Sequence, residues 1–188
     1  MPPSGRPRAD ARANRLRLLT EADAVFREQG TGASLEAIAK RAGVAIGTLY
    51  GHFPTRRALL SALMTERNEA VFAAGDALSA EPPDRALRTW IQLTVTHAAT
   101  YSGLAALLAD GTDDASSELH ASCVRMTEIG DTLLRRAIDA GTIHPTTTSA
   151  DLNTLTTACA LAREHTTAEQ ADRLVAITFT GLLVRTSQ

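Results

Sequence analysis

Few residues in this chain stand at spacings suited to bond-making chemistry. His120 and Cys123 are three apart in a helical pattern and offer two zinc ligands, but no second pair stands nearby to complete a site. Asp113 and Asp114 suit the start of a following helix, through its dipole, better than a cation. His97 and His165 lie near hydroxyls only because threonine is abundant throughout. No nucleophile elbow, glycine-rich phosphate loop or spaced carboxylate pair occurs. No enzyme, no cofactor and no metal are therefore expected. What the residues do offer is hydrogen bonding to an anion. Thr48, Tyr50, His52 and Arg56 cluster within nine residues, and their hydroxyl, imidazole and guanidinium groups are phosphate donors.

The elements that must hold those donors can be read between Ser34 and Met64, SLEAIAKRAGVAIGTLYGHFPTRRALLSALM. Two short helix patterns break at Ala42-Gly43-Val44, and a third begins after Phe53-Pro54. That is the layout of a helix-turn-helix, whose partner is the major groove of double-stranded DNA. Ser34 caps the first helix, with Leu35, Ile38 and Ala39 inward. Gly43 supplies the positive φ of the turn, and Val44 plugs the angle. The second helix, Ala45 to His52, turns Ile46 and Leu49 inward and leaves Ala45, Gly47, Thr48, Tyr50 and His52 outward. Small side chains there let the backbone approach base edges. Thr55 caps the third helix, whose first turn holds Arg56 and Arg57. Cations in a first turn oppose the helix dipole, and a DNA phosphate at Arg56 resolves that conflict. The full set expected at DNA is Ser34, Arg41, Ala45, Ile46, Gly47, Thr48, Tyr50, His52 and Arg56.

The charge distribution agrees. Residues 1–68 hold eleven Lys+Arg against six Asp+Glu, while the other 120 hold eight against fifteen. A basic N-terminal module on an acidic body fits a nucleic-acid partner for the first part only. At 188 residues and 44% hydrophobic the chain can bury a good core. No apolar run reaches the length of a membrane span, and MPPSGRPRADAR lacks the apolar segment of a signal peptide, so a cytoplasmic location and no membrane partner are expected. Cys123 and Cys159 read as buried thiols. Residues 1–10 read as a disordered arm, with Arg6, Arg8 and Arg12 suited to a solvated tail or to a minor groove.

The stretch GTGASLEAIAKRAGVAIGTLYGHFPTRRALL resembles the DNA-binding domain of TetR-family transcriptional regulators, from roughly Arg12 to Leu63. Gly47, Leu49, Tyr50, His52 and Phe53 carry the family signature. The resemblance implies an all-α chain of about nine helices, with a three-helix DNA-binding domain over 11–54 and an effector-binding and dimerisation domain over 55–188. It implies further a homodimer on a palindromic operator, acting as a repressor that an unidentified small-molecule effector releases. Family phosphate contacts map onto Thr48, Tyr50, His52 and Arg56, the last standing where many members have lysine. Arg57 departs from the glutamate often found there and reads either as a further phosphate contact or as a changed surface pair.

The body reads as helices throughout, with no sheet expected. A linking helix runs from Thr55 to about Leu78, and another starts at the Glu81-Pro82-Pro83-Asp84 break and runs to about Tyr101. A short one spans Gly103 to Ala109, a long one Ser117 to Ala140, and two close the chain at about Ala150 to Glu164 and Ala168 to Arg185. Arg85 to Trp90, Gly103 to Ala105 and Asp151-Leu152 loosely resemble a TetR-family C-terminal type. Trp90, Thr94, His97 and Tyr101 recur on one helical face and suit a ligand pocket, with Leu104, Leu107, Met126, Ile129 and Leu133 as apolar walls. The competing reading makes them ordinary core. Family architecture puts the dimer interface on the last two helices, here Leu155, Cys159, Ala162, Leu174, Thr178, Gly181 and Leu182. A different class of function remains open, a small-molecule binding or buffering module with a degenerate DNA-binding head.

Overall fold

The computed structural model describes residues 6–109 and 118–184, and every regular element among them is helical. The order is α1 (Arg6–Gln29), α2 (Leu35–Arg41), α3 (Ile46–His52), α4 (Arg56–Ala77), a 3-10 turn (Leu78–Ala80), α5 (Pro83–Ala98), α6 (Leu104–Ala109), α7 (Glu118–Asp139), α8 (Ser149–His165) and α9 (Ala168–Leu182). A single β-bridge pairs Ile143 with Leu183. The expected all-α architecture of about nine helices is the one observed. Asp113 and Asp114 lie outside the described residues.

The caps read from the sequence close the expected helices. The Ser34 hydroxyl accepts from the Ala37 N–H (3.3 Å) and the Thr55 hydroxyl from the Ala58 N–H (3.0 Å). Gly43 makes the turn between α2 and α3 at φ 67°. Two boundaries differ. α1 reaches back to Arg6, so residues 6–10, expected in a disordered arm, form its first turns. Pro7 is tolerated there because the first helical amides have no intrahelical acceptor in any case. α5 stops at Ala98 rather than near Tyr101, with the Thr100 hydroxyl bonded to the His97 carbonyl (2.7 Å) in a tight corner.

Two cores result. The head core gathers Leu18, Phe26, Ile38, Leu49, Phe53 and Leu60 from α1 to α4 and also takes in Tyr101 and Leu104 of the body. The body core gathers Trp90, Ile91, Leu133, Leu152, Val175 and Phe179 from α5 to α9. α4 serves both, with Leu59 and Leu60 in the first and Val71 in the second.

Trp90 sets the closeness of the body helices. Its benzo edge faces Gly75 of α4 and its pyrrole edge faces Gly130 of α7. A Cβ at residue 75 would fall 2.6 Å from Trp90 Cζ3 and 2.9 Å from Ile129 Cγ2, and one at 130 would fall 2.9 Å from Trp90 Nε1. With the indole buried, neither clash can relax into solvent. Gly75→Ala should therefore destabilise by about 1–3 kcal/mol, although alanine is the better helix former by about 1 kcal/mol. Urea unfolding compares the two, and a variant at least as stable as the wild type would show that the indole is free to move.

Candidate functional site

α3 lies across the head with Leu49 buried and Ile46 half-buried against the head core, which fixes the opposite face outward. Ala45, Gly47 and Tyr50 are exposed, Tyr50 at 45%, and Thr48 and His52 are half-buried. A Cβ at Gly47 or Gly51 would meet nothing within 4 Å, so this face is open. α3 thus brings five of the nine residues expected at DNA onto one surface. Ile46 belongs to its packed side instead.

The arginines are arranged differently from expectation. Arg56 turns back into the head, where Nη1 donates to the carbonyls of Thr31 (2.7 Å) and Ala33 (2.5 Å). Its guanidinium holds the α1–α2 corner, which resolves its unfavourable place at a helix start without an outside anion. Arg41 pairs with Glu21 (3.0 Å) and Glu28 (2.9 Å) on α1. Ser34 is spent on its cap and on donating to Glu36 (2.6 Å). Arg57 turns toward the body, where Nη2 donates to the Leu107 carbonyl of α6 (3.2 Å). A cation does stand beside the end of α3: the Arg15 guanidinium lies 5.1 Å from the Phe53 ring centroid, and the His52 ring centroid lies 6.2 Å from the same ring. A guanidinium stacked on a ring keeps its N–H edges free for phosphate. The spacing of Arg12 and Arg15 on a helix was the signal available in the sequence.

Head and body meet where the α5–α6 corner enters the α1–α2 corner. The Tyr101 hydroxyl donates to Asp23 (2.6 Å), and its ring packs edge-on to Phe26 with centroids 6.0 Å apart. Thr31 N–H donates to the Ser102 carbonyl (2.8 Å). Gly30, at φ 77°, admits this approach, because a Cβ there would fall 2.8 Å from that carbonyl oxygen. Glu164 of α8 closes the junction, accepting from Gly103 N–H (2.7 Å) and the Ser102 hydroxyl (3.2 Å). Tyr101 and Leu104, expected to line the pocket, are instead fully buried in this joint, and Leu107 packs beside them. Burial, and then the Asp23 hydrogen bond, push the Tyr101 hydroxyl up to about 12. Asp23 is held below its usual range, chiefly by Arg27.

The cavity itself lies between α5, α7 and α8 and measures about 230 Å³. Trp90, Thr94, His97 and Met126 line it, together with Cys123, Thr127, Leu152, Asn153, Thr156 and Thr157. The α8 residues were missed because only the chain's fold brings their helix to α5. Ile129 and Leu133 face a separate surface groove between α4 and α7, shared with Arg125 and Arg136. Burial, and then Arg67, lower His97 to about 4, so its imidazole is neutral at physiological pH.

On the last two helices, α9 carries Leu174 (39% exposed) and Ile177 (61%) outward, with Gly181 on the same side. Leu155, Ala162 and Thr178 are half-buried. Cys159, at 3% exposure, lies inside the chain's own body core, and Leu182 packs against that core, so neither belongs to the outer face. Arg163 and Asp172 tie α8 to α9 (2.7 Å). Among the described residues no helix is long and apolar enough to cross a membrane.

A helix-turn-helix head joined to a helical body with its own cavity is the arrangement of a DNA-binding transcriptional regulator. Residues 18–63 match the family described as bacterial regulatory proteins, tetR family, and residues 82–184 match the C-terminal domain of SbtR-like transcriptional regulators. The chain belongs to the TetR family of bacterial transcriptional regulators. It is similar to the crystal structure of a TetR transcriptional regulator from Streptomyces coelicolor, at 32% identity and a TM-score of 0.60 over 92% of this chain and 99% of that one. A TetR regulatory protein from Mycobacterium vanbaalenii gives 31% and 0.54 over 94% and 99%. The HTH-type transcriptional regulator UidR of Escherichia coli K12 is 37% identical over 65 residues, 34% of this chain, so the match spans about a third (33%) of that curated relative.

His97 makes one consequence measurable. In the unfolded chain its imidazole binds a proton near 6.5, but in the fold only near 4. Below pH 6.5 the unfolded state therefore takes up more protons, and stability falls as pH drops through that window. The melting temperature should decline from pH 6.5 toward 4 more steeply in the wild type than in His97→Gln. Parallel declines would show that the ring is not desolvated.

Proposed function

We propose that the chain is a homodimeric repressor that leaves a palindromic operator when a small molecule fills the α5–α7–α8 cavity. The observation that carries this reading is the path of α4. Its first turn is tied to the α1–α2 corner through Arg56, and near its end Gly75 touches the indole that lines the cavity. A shape change at Trp90 is thereby felt by the helix on which the head is mounted. Such coupling works only if the ligand binds the two head arrangements differently, by about 3 kcal/mol for a hundredfold loss of operator affinity.

In this reading Ala45, Gly47, Thr48, Tyr50 and His52 enter the major groove and reach its flanking phosphates. Arg15 supplies the phosphate contact that Arg56 cannot make while it holds the carbonyls of 31 and 33. Two heads set about 34–36 Å apart would read successive grooves. The exposed stripe of Leu174, Ile177 and Gly181, with its small and branched side chains, suits close packing of α9 against a second copy.

Selection of genomic fragments by the purified protein should return a palindromic site, and with that site the arginines separate. Arg15→Ala should weaken all DNA sequences alike and reduce the slope of log K against log salt by about one, while leaving the melting temperature nearly unchanged. Arg56→Ala should lower the melting temperature and DNA binding together, because it frees the α1–α2 corner. An Arg15→Ala protein with an unaltered salt slope would remove Arg15 from the interface. Absence of DNA binding at any salt would favour the small-molecule module.

A further inference from the structure

The reading of the α5–α7–α8 cavity as the effector site leaves the ligand's chemistry open, and the lining narrows it. No Asp, Glu, Lys or Arg is among the described residues that line it, and the nearest cations act from outside the lining, Arg67 on His97 and Arg57 on Cys123. One wall is Trp90, Leu108, Met126 and Leu152. The lining also carries polar groups, several of them without a hydrogen-bond partner among the described residues. The Thr94 hydroxyl is spent on the carbonyls of Trp90 (2.9 Å) and Ile91 (3.1 Å), and that of Thr127 on Cys123 (3.0 Å). The side chains of Asn153, Thr156 and Thr157, the His97 ring and the Trp90 indole N–H make no hydrogen bond to other described residues.

We infer that this cavity takes an uncharged, compact ring compound bearing a carbonyl or hydroxyl oxygen. The ring lies against Trp90 and Met126, and the oxygen, with its two lone pairs, bonds to His97 and to an α8 hydroxyl, for which Thr157 is taken. Size supports compactness, since about 230 Å³ is below the 300–1,000 Å³ or so of drug-sized sites. Charge is disfavoured from both sides. A buried carboxylate or ammonium finds no charged partner in the described lining to replace its lost hydration. His97 cannot supply the missing cation, because burial keeps its imidazole neutral. As a neutral ring it offers one donor and one acceptor, which suits a ketone or an alcohol equally.

Trp90 is the chain's one tryptophan, so its emission reports occupancy directly. The probes are 4-tert-butylcyclohexanone, 4-tert-butylcyclohexanol, 4-tert-butylcyclohexanecarboxylate and 4-tert-butylcyclohexylamine, titrated into the full chain at pH 7. The ketone and alcohol should shift the emission saturably, with the carboxylate and the ammonium at least about tenfold weaker. Thr157→Val, which keeps the side-chain shape, should weaken ketone and alcohol binding about three- to tenfold with the melting temperature retained. Calorimetry on Trp90→Phe should show a similar loss. A charged probe binding as tightly as the ketone, or no saturable response to any of the four up to millimolar concentration, would overturn the assignment. Operator binding measured alongside keeps the two readings apart. Saturable binding of the ketone with operator affinity unchanged would leave the ligand class standing and sink the regulatory reading. Operator release by the ketone without any Trp90 response would place its site elsewhere and overturn the assignment.

Discussion

An indole ring held between two glycines governs the body of this protein. Trp90 can lie at the crossing of α4, α5 and α7 only because residues 75 and 130 carry no Cβ. The close approach leaves Ile129 beside Gly75 and Leu152 beside Gly130, with Leu133, Leu134 and Ala137 of α7 in the same core. Protein interiors are packed as densely as organic crystals, so an element gripped on two sides has few intermediate positions. The cavity beside Trp90 is then a consequence of the same geometry. A flat ring fills the helix crossing, and the space left under α8 falls to small and polar side chains.

The head is fixed to this body at a second place, and there the chemistry is polar. The α5–α6 corner meets the α1–α2 corner through backbone bonds from Thr31 to Ser102, through Tyr101 to Asp23, and through Glu164 to the start of α6. Arg56 and Arg57 leave α4 for opposite partners, one into the head at residues 31 and 33, the other to Leu107 of the body. The two consecutive arginines therefore stitch head and body to one helix. Their value lies in directional bonds to carbonyls that the fold has already buried, where an unmade bond would be costly.

Much of this was legible in the sequence wherever a local rule decides the outcome. The Ser34 and Thr55 caps, the Gly43 turn, the inward Leu49 and the limits of α4 all follow from interactions within a few residues. What was not legible depends on carbonyls and rings brought from far along the chain. Arg56 reads as a phosphate ligand until the carbonyls of 31 and 33 are seen to converge on it. Tyr101 continues the Trp90–Thr94–His97 spacing on paper, but the helix ends at Ala98, and the ring swings into the head core with Phe26. Ile129 and Leu133 fail as cavity walls for a related reason, since a helix gripped by Trp90 at Gly130 turns those neighbours toward α4. Asn153, Thr156 and Thr157 lie on α8, far along the chain from Trp90, and no spacing rule connects them to it.

The two joints differ in what could loosen them, and that difference bears on how the proposed regulator would switch. The Trp90 contact with α4 is apolar and steric, so a ligand acts on it by occupying space next to the ring. The Tyr101 joint is a hydrogen-bonded assembly three residues beyond Ala98, the end of the helix that carries Thr94 and His97. In the proposed regulator, a ligand held by His97 would pull on that helix end and hence on the corner bonded to Asp23 and Thr31. α8 reaches the same corner from the other side, because Thr157 lines the cavity and Glu164, two turns further along, accepts from Gly103. A molecule that only filled the apolar space would therefore move α4 alone, whereas one that also bonded His97 and the α8 hydroxyls would act on both joints at once. The head is held at both, so the second kind of ligand is the one able to favour a different head arrangement by several kcal/mol rather than merely to bind.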